Sequence, residues 1–115
     1  MKDVSKQVEK LNAVIIQYYQ NEITDGNRLS LAHRDITSIL YFLEETRAEI
    51  HDLWQTKVYK LVEGGASVSR AENEAHVEYP QMYQLRRLMD AGYRVADSIR
   101  TRISYIKNEL NNLNG

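Results

Sequence analysis

From Met82 to Leu113 the chain keeps an uninterrupted 3-4 spacing of apolar or small residues: Met82, Leu85, Met89, Gly92, Ala96, Ile99, Ile103, Ile106, Leu110 and Leu113. Such a repeat belongs to an α-helix that buries one narrow edge against other helices, as in a coiled coil. It commits this part of the chain to a long rod and predicts an all-α fold. The residue after each second seam position reads Arg86, Tyr93, Arg100 and Lys107, with Arg87, Arg94 and Arg102 beside this column. One flank of the rod is therefore basic and carries a tyrosine.

Upstream, Val4, Val8, Leu11, Ile15 and Tyr18 repeat with 4-3-4-3 spacing and predict an amphipathic helix over about 3–22. Thr24, Asp25, Gly26 and Asn27 read as a turn, Gly26 and Asn27 tolerating positive φ, with Ser30 as the cap of the next helix. No proline or glycine interrupts the chain from Ser30 to Glu63, so a second helix is expected over 30–63, ended by Gly64-Gly65. A short helix over 68–77 follows, with Ser69 and Glu72 in capping-box spacing and Ser67 as the alternative cap. Pro80 then forces a break before the last helix, expected over 81–112. The expected architecture is one helical domain over 1–115, a long antiparallel hairpin with an added N-terminal helix. Gly92 and Ala96 leave space at mid-rod, which Trp54 or Tyr41 of the second helix could fill.

Helices this long in 115 residues enclose little core volume, so self-association into a homo-oligomer is expected. The chain has no cysteine, which removes disulfides and thiolate metal sites. No apolar run approaches a membrane span, and the first residues lack the apolar stretch of a signal peptide; a cytoplasmic location with no membrane partner is expected. A net charge of −1 conceals a division: residues 1–79 hold nine Lys/Arg against thirteen Asp/Glu, and residues 80–115 hold six against three. That asymmetry fits either a polyanion-binding half or helices that pair by charge.

Catalytic constellations find no footing. His33, His51 and His76 fall on different segments without the Glu-x-x-His spacing of bundle metal sites, so no metal or cofactor is expected. The tripeptide His33-Arg34-Asp35 lacks every companion of a kinase catalytic loop. Glu49 and Asp52, with Glu22 and Asp25, echo the paired carboxylates of helical nucleotide pyrophosphohydrolases, but Asp25 sits beside Gly26 in a turn, where a ligand face is not held rigidly. Glu44, Glu45, Glu49 and Asp52 read more simply as a solvated helix face. No serine lies in a Gly-x-Ser-x-Gly turn, and Gly64-Gly65 has no following Lys-Ser/Thr to cradle a phosphate.

The basic column remains. Successive e positions advance about 10 Å along a helix, so Arg86, Arg100 and Lys107 form a line suited to a phosphate backbone while Tyr93 stacks on a base. Arg87, Arg94 and Arg102 widen it. The competing reading is that e and g positions of coiled coils are routinely charged and pair with a partner helix, here the glutamate-rich second one. With a net charge near zero, nucleic-acid binding would draw on several copies side by side.

Residues 67–110 (SVSRAENEAHVEYPQMYQLRRLMDAGYRVADSIRTRISYIKNEL) resemble the C-terminal part of small helical bacteriophage proteins. The shared features are an alanine-spaced short helix (Ala71, Ala75), a Tyr-x-x-Leu segment met by Tyr83 and Leu85 shifted by one, and an Asp-x-Ile-x-x-Arg-Ile-Ser-x-x-Lys ending, here Asp97, Ile99, Arg102, Ile103, Ser104 and Lys107. UvsY-type recombination mediators have a comparable basic end. The resemblance covers 44 of 115 residues, leaves the first 66 outside it, and implies an oligomeric helical protein that binds single-stranded DNA and assists recombination or replication. The leading expectation is thus a non-enzymatic, oligomeric, phage-type helical accessory protein that binds single-stranded nucleic acid, such as single-stranded DNA, through Arg86, Arg87, Tyr93, Arg94, Arg100, Arg102 and Lys107. The alternative is a protein-interaction module, a helical adaptor or a phage inhibitor that engages a host or phage protein.

Overall fold

The computed structural model describes residues 2–114, with side chains to Leu113, and holds four α-helices: α1 (Ser5–Tyr19), α2 (Gly26–Glu63), α3 (Val68–Glu78) and α4 (Gln81–Asn114). The molecule is a rod of 69 × 25 × 22 Å. Helix α2, at 38 residues, spans about 57 Å and sets that length. Helices α3 and α4 run back along it antiparallel. Level with Thr46 and Ile50 of α2 lie Gln81 and Leu85 of α4, whereas Leu40 is level with Gly92. Helix α1 lies in the groove between α2 and α4, so one part of the rod is a three-helix body and the α2–α3 part is a two-helix arm.

Local chemistry explains the element ends and corrects two expected boundaries. Helix α1 stops at Tyr19 rather than near Glu22, because Asn21 takes a left-handed conformation with φ of 59°. The Glu22 amide then donates to the Gln17 carbonyl and the Asn21 amide to that of Tyr18, which is a Schellman closure. Helix α2 begins at Gly26 and not at Ser30: the Asp25 carboxylate accepts from the Arg28 amide at 2.9 Å, so the presumed turn is itself the cap. Gly65, with φ of 104°, repeats the Schellman closure at the far end of α2, where the Ala66 amide reaches the Leu61 carbonyl. Ser67, not Ser69, caps α3 by accepting from the Arg70 amide at 3.2 Å. Tyr79 leaves the helical region at ψ of 62° ahead of Pro80, which separates α3 from α4.

The core is centred on Leu11 of α1, Leu29, Ile36, Leu40 and Leu43 of α2, and Met89, Val95 and Ile99 of α4. The α4 seam is buried from Met82 to Ile99, half-buried at Ile103 and Ile106, and exposed at Leu110 and Leu113. The fading has a plain cause, since α4 runs on beyond the level where α2 begins. The buried face also widens to include Val95 and half of Leu88, because α1 packs on that flank.

Gly92 is filled from two sides. A β-carbon there would lie 3.2 Å from methyl groups of both Leu11 and Leu40, so three helices converge where one of them lacks a side chain. Neither Trp54 nor Tyr41 occupies that space: Tyr41 is 87% exposed, and Trp54 packs in the arm between His51 and His76. The arm has a thin core of Ala71, Ala75 and the half-buried Trp54, whose Nε1–H is enclosed without a hydrogen-bond partner among the described residues. Lys57 of α2 and Glu78 of α3 pair at 3.1 Å across it, which raises the Lys57 pKa.

Gly92→Leu is expected to lower the unfolding free energy by about 1–3 kcal/mol or more through overpacking against Leu11 and Leu40. Asp25→Ala is expected to lower it by about 1 kcal/mol through loss of the cap. Urea unfolding followed by circular dichroism measures both.

Candidate functional site

Which flank of α4 meets water is decided by where α1 docks. Leu88 lines a groove with Val4 and Val8 of α1, and the Arg102 guanidinium lies 5.7 Å from the centre of the Tyr18 ring. Tyr18 is further tied to α4 by a hydrogen bond between its hydroxyl and that of Ser98. Leu88, Val95 and Arg102 recur every seven residues, so α1 covers this flank along much of the body. The column of Arg86, Tyr93, Arg100 and Lys107 is on the other flank, and all four are exposed.

Six of the seven residues singled out by the sequence thus share one open stripe. Arg86, Arg87, Tyr93, Arg94, Arg100 and Lys107 extend for about 31 Å along the helix. Arg102 does not belong to it: half-buried, it turns to the α1 side, where its guanidinium lies over the Tyr18 ring.

The charge partners of the stripe are local. Among the described residues Arg86, Arg87, Arg94 and Lys107 make no ion pair, and Arg100 pairs at 3.2 Å with Asp97 of its own helix, both side chains being 72% exposed. None of them reaches Glu45, Glu49 or Asp52 of α2. The cross-element pairs are instead Lys2 with Glu45, at 2.9 Å, and Lys57 with Glu78. Pairing of an acidic α2 with a basic α4 is therefore not how this fold uses its charge asymmetry. Tyr93 is 47% exposed, and the Arg87 guanidinium lies 5.6 Å from the centre of the Tyr83 ring.

Two features of the stripe escaped the sequence reading. Arg47 of α2 comes up beside Tyr93 and Asp90: its pKa is raised chiefly by the hydrogen bond to Glu44, and further by the nearness of those two residues. No linear signal announces that neighbour, because it depends on the α2–α4 register. Asp90 and Asp97 also interrupt the basic run, and their i+3 or i+4 spacing to Arg87, Arg94 and Arg100 was visible in the sequence.

Elsewhere the structure separates what metal chemistry would need together. Asp25 is spent as the α2 cap and lies about 36 Å along the helix from Glu49, so the two carboxylate pairs do not converge. Among the described residues no group of three or more His, Asp or Glu side chains is placed to hold a metal ion. His51 and His76 do meet, across Trp54, with ring centres 6.2 Å and 5.4 Å from the indole. No helix among the described residues is long and apolar enough to cross a membrane. Comparison of the chain with known protein families, with curated proteins and with solved structures finds no match.

The two arginine environments have different consequences for folding. Arg102→Ala is expected to cost about 0.5–1 kcal/mol through lost packing on Tyr18. Arg86→Ala and Arg94→Ala should each change stability by less than about 0.5 kcal/mol. Thermal unfolding of the three variants measures the contrast.

Proposed function

We propose that this chain is a non-enzymatic helical protein that binds single-stranded nucleic acid along the outer face of α4. The observation that carries this reading is the stripe of Arg86, Arg87, Arg94, Arg100 and Lys107, which is exposed, beside Tyr93, and free of ion pairs to other helices. Cations neutralised within the fold would have nothing left to offer a ligand. Cations in open solvent gain by displacing counterions from a phosphate chain. Tyr93 supplies a ring on which a base stacks, which suits a single strand whose bases are not already paired. The length of the stripe matches a run of several phosphates and does not require a groove of fixed width.

Resemblance of the α3–α4 segment to UvsY-type mediators supports the same class of ligand and suggests a role in recombination or replication. Five cations per copy bind weakly, so function on this reading draws on several copies along one strand. A second reading, a protein-interaction module, is favoured by Asp90 and Asp97, which give the stripe mixed charge and suit a polar protein surface.

Fluorescence anisotropy of a labelled single-stranded oligonucleotide, titrated with protein at low and moderate salt, tests the proposal. Binding should weaken steeply with salt. Replacing Arg86, Arg94 and Arg100 together with alanine should make the slope of log K against log salt shallower by about 2, at roughly 0.7 per lost phosphate contact. Tyr93→Ala should cost about 1–3 kcal/mol of binding with little change in that slope. No binding at high protein concentration in low salt would end the proposal and select the protein partner.

A further inference from the structure

Asp90 is the member of the α4 stripe for which phosphate binding has no use. A carboxylate in a basic line repels a phosphate chain, and the ordinary reason for one on a helix surface is a pair with a cation three or four residues away. Asp97 has such a pair, with Arg100 at 3.2 Å. Asp90 is exposed within reach of Arg86, Arg87 and Arg94, yet among the described residues it makes no ion pair with any of them. Its carboxylate stands free one turn before Tyr93.

The other neighbour of Tyr93 comes from α2. Leu40 meets Gly92, and Glu44 and Arg47 continue the same face of α2 along α4. There Nε and one terminal nitrogen of Arg47 both donate to a single Glu44 oxygen. That grip holds the half-buried side chain and leaves its remaining N–H groups without a partner among the described residues. The guanidinium is near enough to Tyr93 and Asp90 that both add to the rise in its pKa caused first by Glu44. An exposed phenol ring is thus accompanied by an unpaired carboxylate from its own helix and an anchored guanidinium from the next.

Stacking on a tyrosine accepts every base alike, so selectivity comes from groups that meet the edges of the base. A carboxylate favours two adjacent N–H donors, and a guanidinium favours two adjacent acceptors. Guanine carries both, with N1–H and the N2 amino group on one edge and O6 and N7 on another. Thymine and uracil set a single N–H between two carbonyls, and adenine and cytosine set one amino group beside a ring-nitrogen acceptor. We propose that Tyr93, Asp90 and Arg47 form a guanine-selective position, the ring stacking on the base, Asp90 accepting from N1–H and N2–H, and Arg47 donating to O6 or N7. This rests on the nucleic-acid reading above and adds a base preference to it.

Fluorescence anisotropy with two labelled strands is the test: an oligothymidylate of about 12 residues, and the same strand with one central guanine. The guanine strand should bind at least about fivefold more tightly, the low end of what a two-point base contact discriminates. Asp90→Asn should tighten binding of the plain strand, since a repelling charge is gone, and reduce the guanine preference to less than about twofold. A purely electrostatic role for Asp90 would instead tighten both strands alike. Hypoxanthine in place of guanine lacks the N2 amino group and should lose most of the preference. Equal binding of the two strands by the wild type would overturn this inference and leave the single-strand reading standing. So would a preference that survives Asp90→Asn, because the carboxylate would then not be reading the base. No binding of either strand would overturn both.

Discussion

The close approach of Leu11, Leu40 and Gly92 sets the register of this molecule. Three helices touch there because one of them presents only a hydrogen, and the two leucines fill the gap. Everything about the surface follows from that fit. A slip of α4 by one residue would rotate it by about 100° and carry its basic column towards a neighbouring helix. With the contact in place, the guanidinium groups of Arg86, Arg94 and Arg100 meet solvent while Val95 and Arg102 face α1. Packing at the axis thus decides which charges are available outside, and the same contact fixes which α2 side chain, Arg47, comes up beside Tyr93.

The body and the arm differ in substance as well as in helix number. The body stacks leucine, isoleucine and methionine from three helices, whereas the arm relies on two alanines, one indole and a lysine–glutamate pair. The Pro80 break falls close to this division, so the return strand of the hairpin is made of two separate helices and not one. Acidic residues concentrate on the arm and basic ones on α4, which gives the rod a charge gradient along its length without ion pairs between α2 and α4. That gradient affects how the molecule meets other charged bodies more than how it folds.

Much of this was legible before any coordinates. The 3-4 spacing of Met82 to Ile106, the glycine pair after Glu63 and the proline at 80 each act through the local backbone, and each is found where the spacing puts it. The misplaced start of α2 has a specific origin: Asp, Gly and Asn favour turns and caps for overlapping reasons, and only the Asp25 bond to the Arg28 amide tells which applies. The filling of the gap at Gly92 depended on how far the hairpin slides, a quantity set by turn geometry and not by residue type, so Leu40 could not be distinguished from Tyr41 or Trp54. For the same reason Arg102, adjacent in sequence to the open stripe, belongs to the packing around Tyr18.

The placement of Trp54, the chain's single tryptophan, gives the molecule a built-in optical distinction between its two parts. The indole sits where the arm meets the edge of the main core, flanked by two imidazoles, one from α2 and one from α3, so its emission follows the opening of α3 from α2. A protein whose weaker section carries the fluorophore can fray there while its far-ultraviolet helical signal stays largely intact, and the offset between the two signals becomes a direct reading of how independently that section breathes.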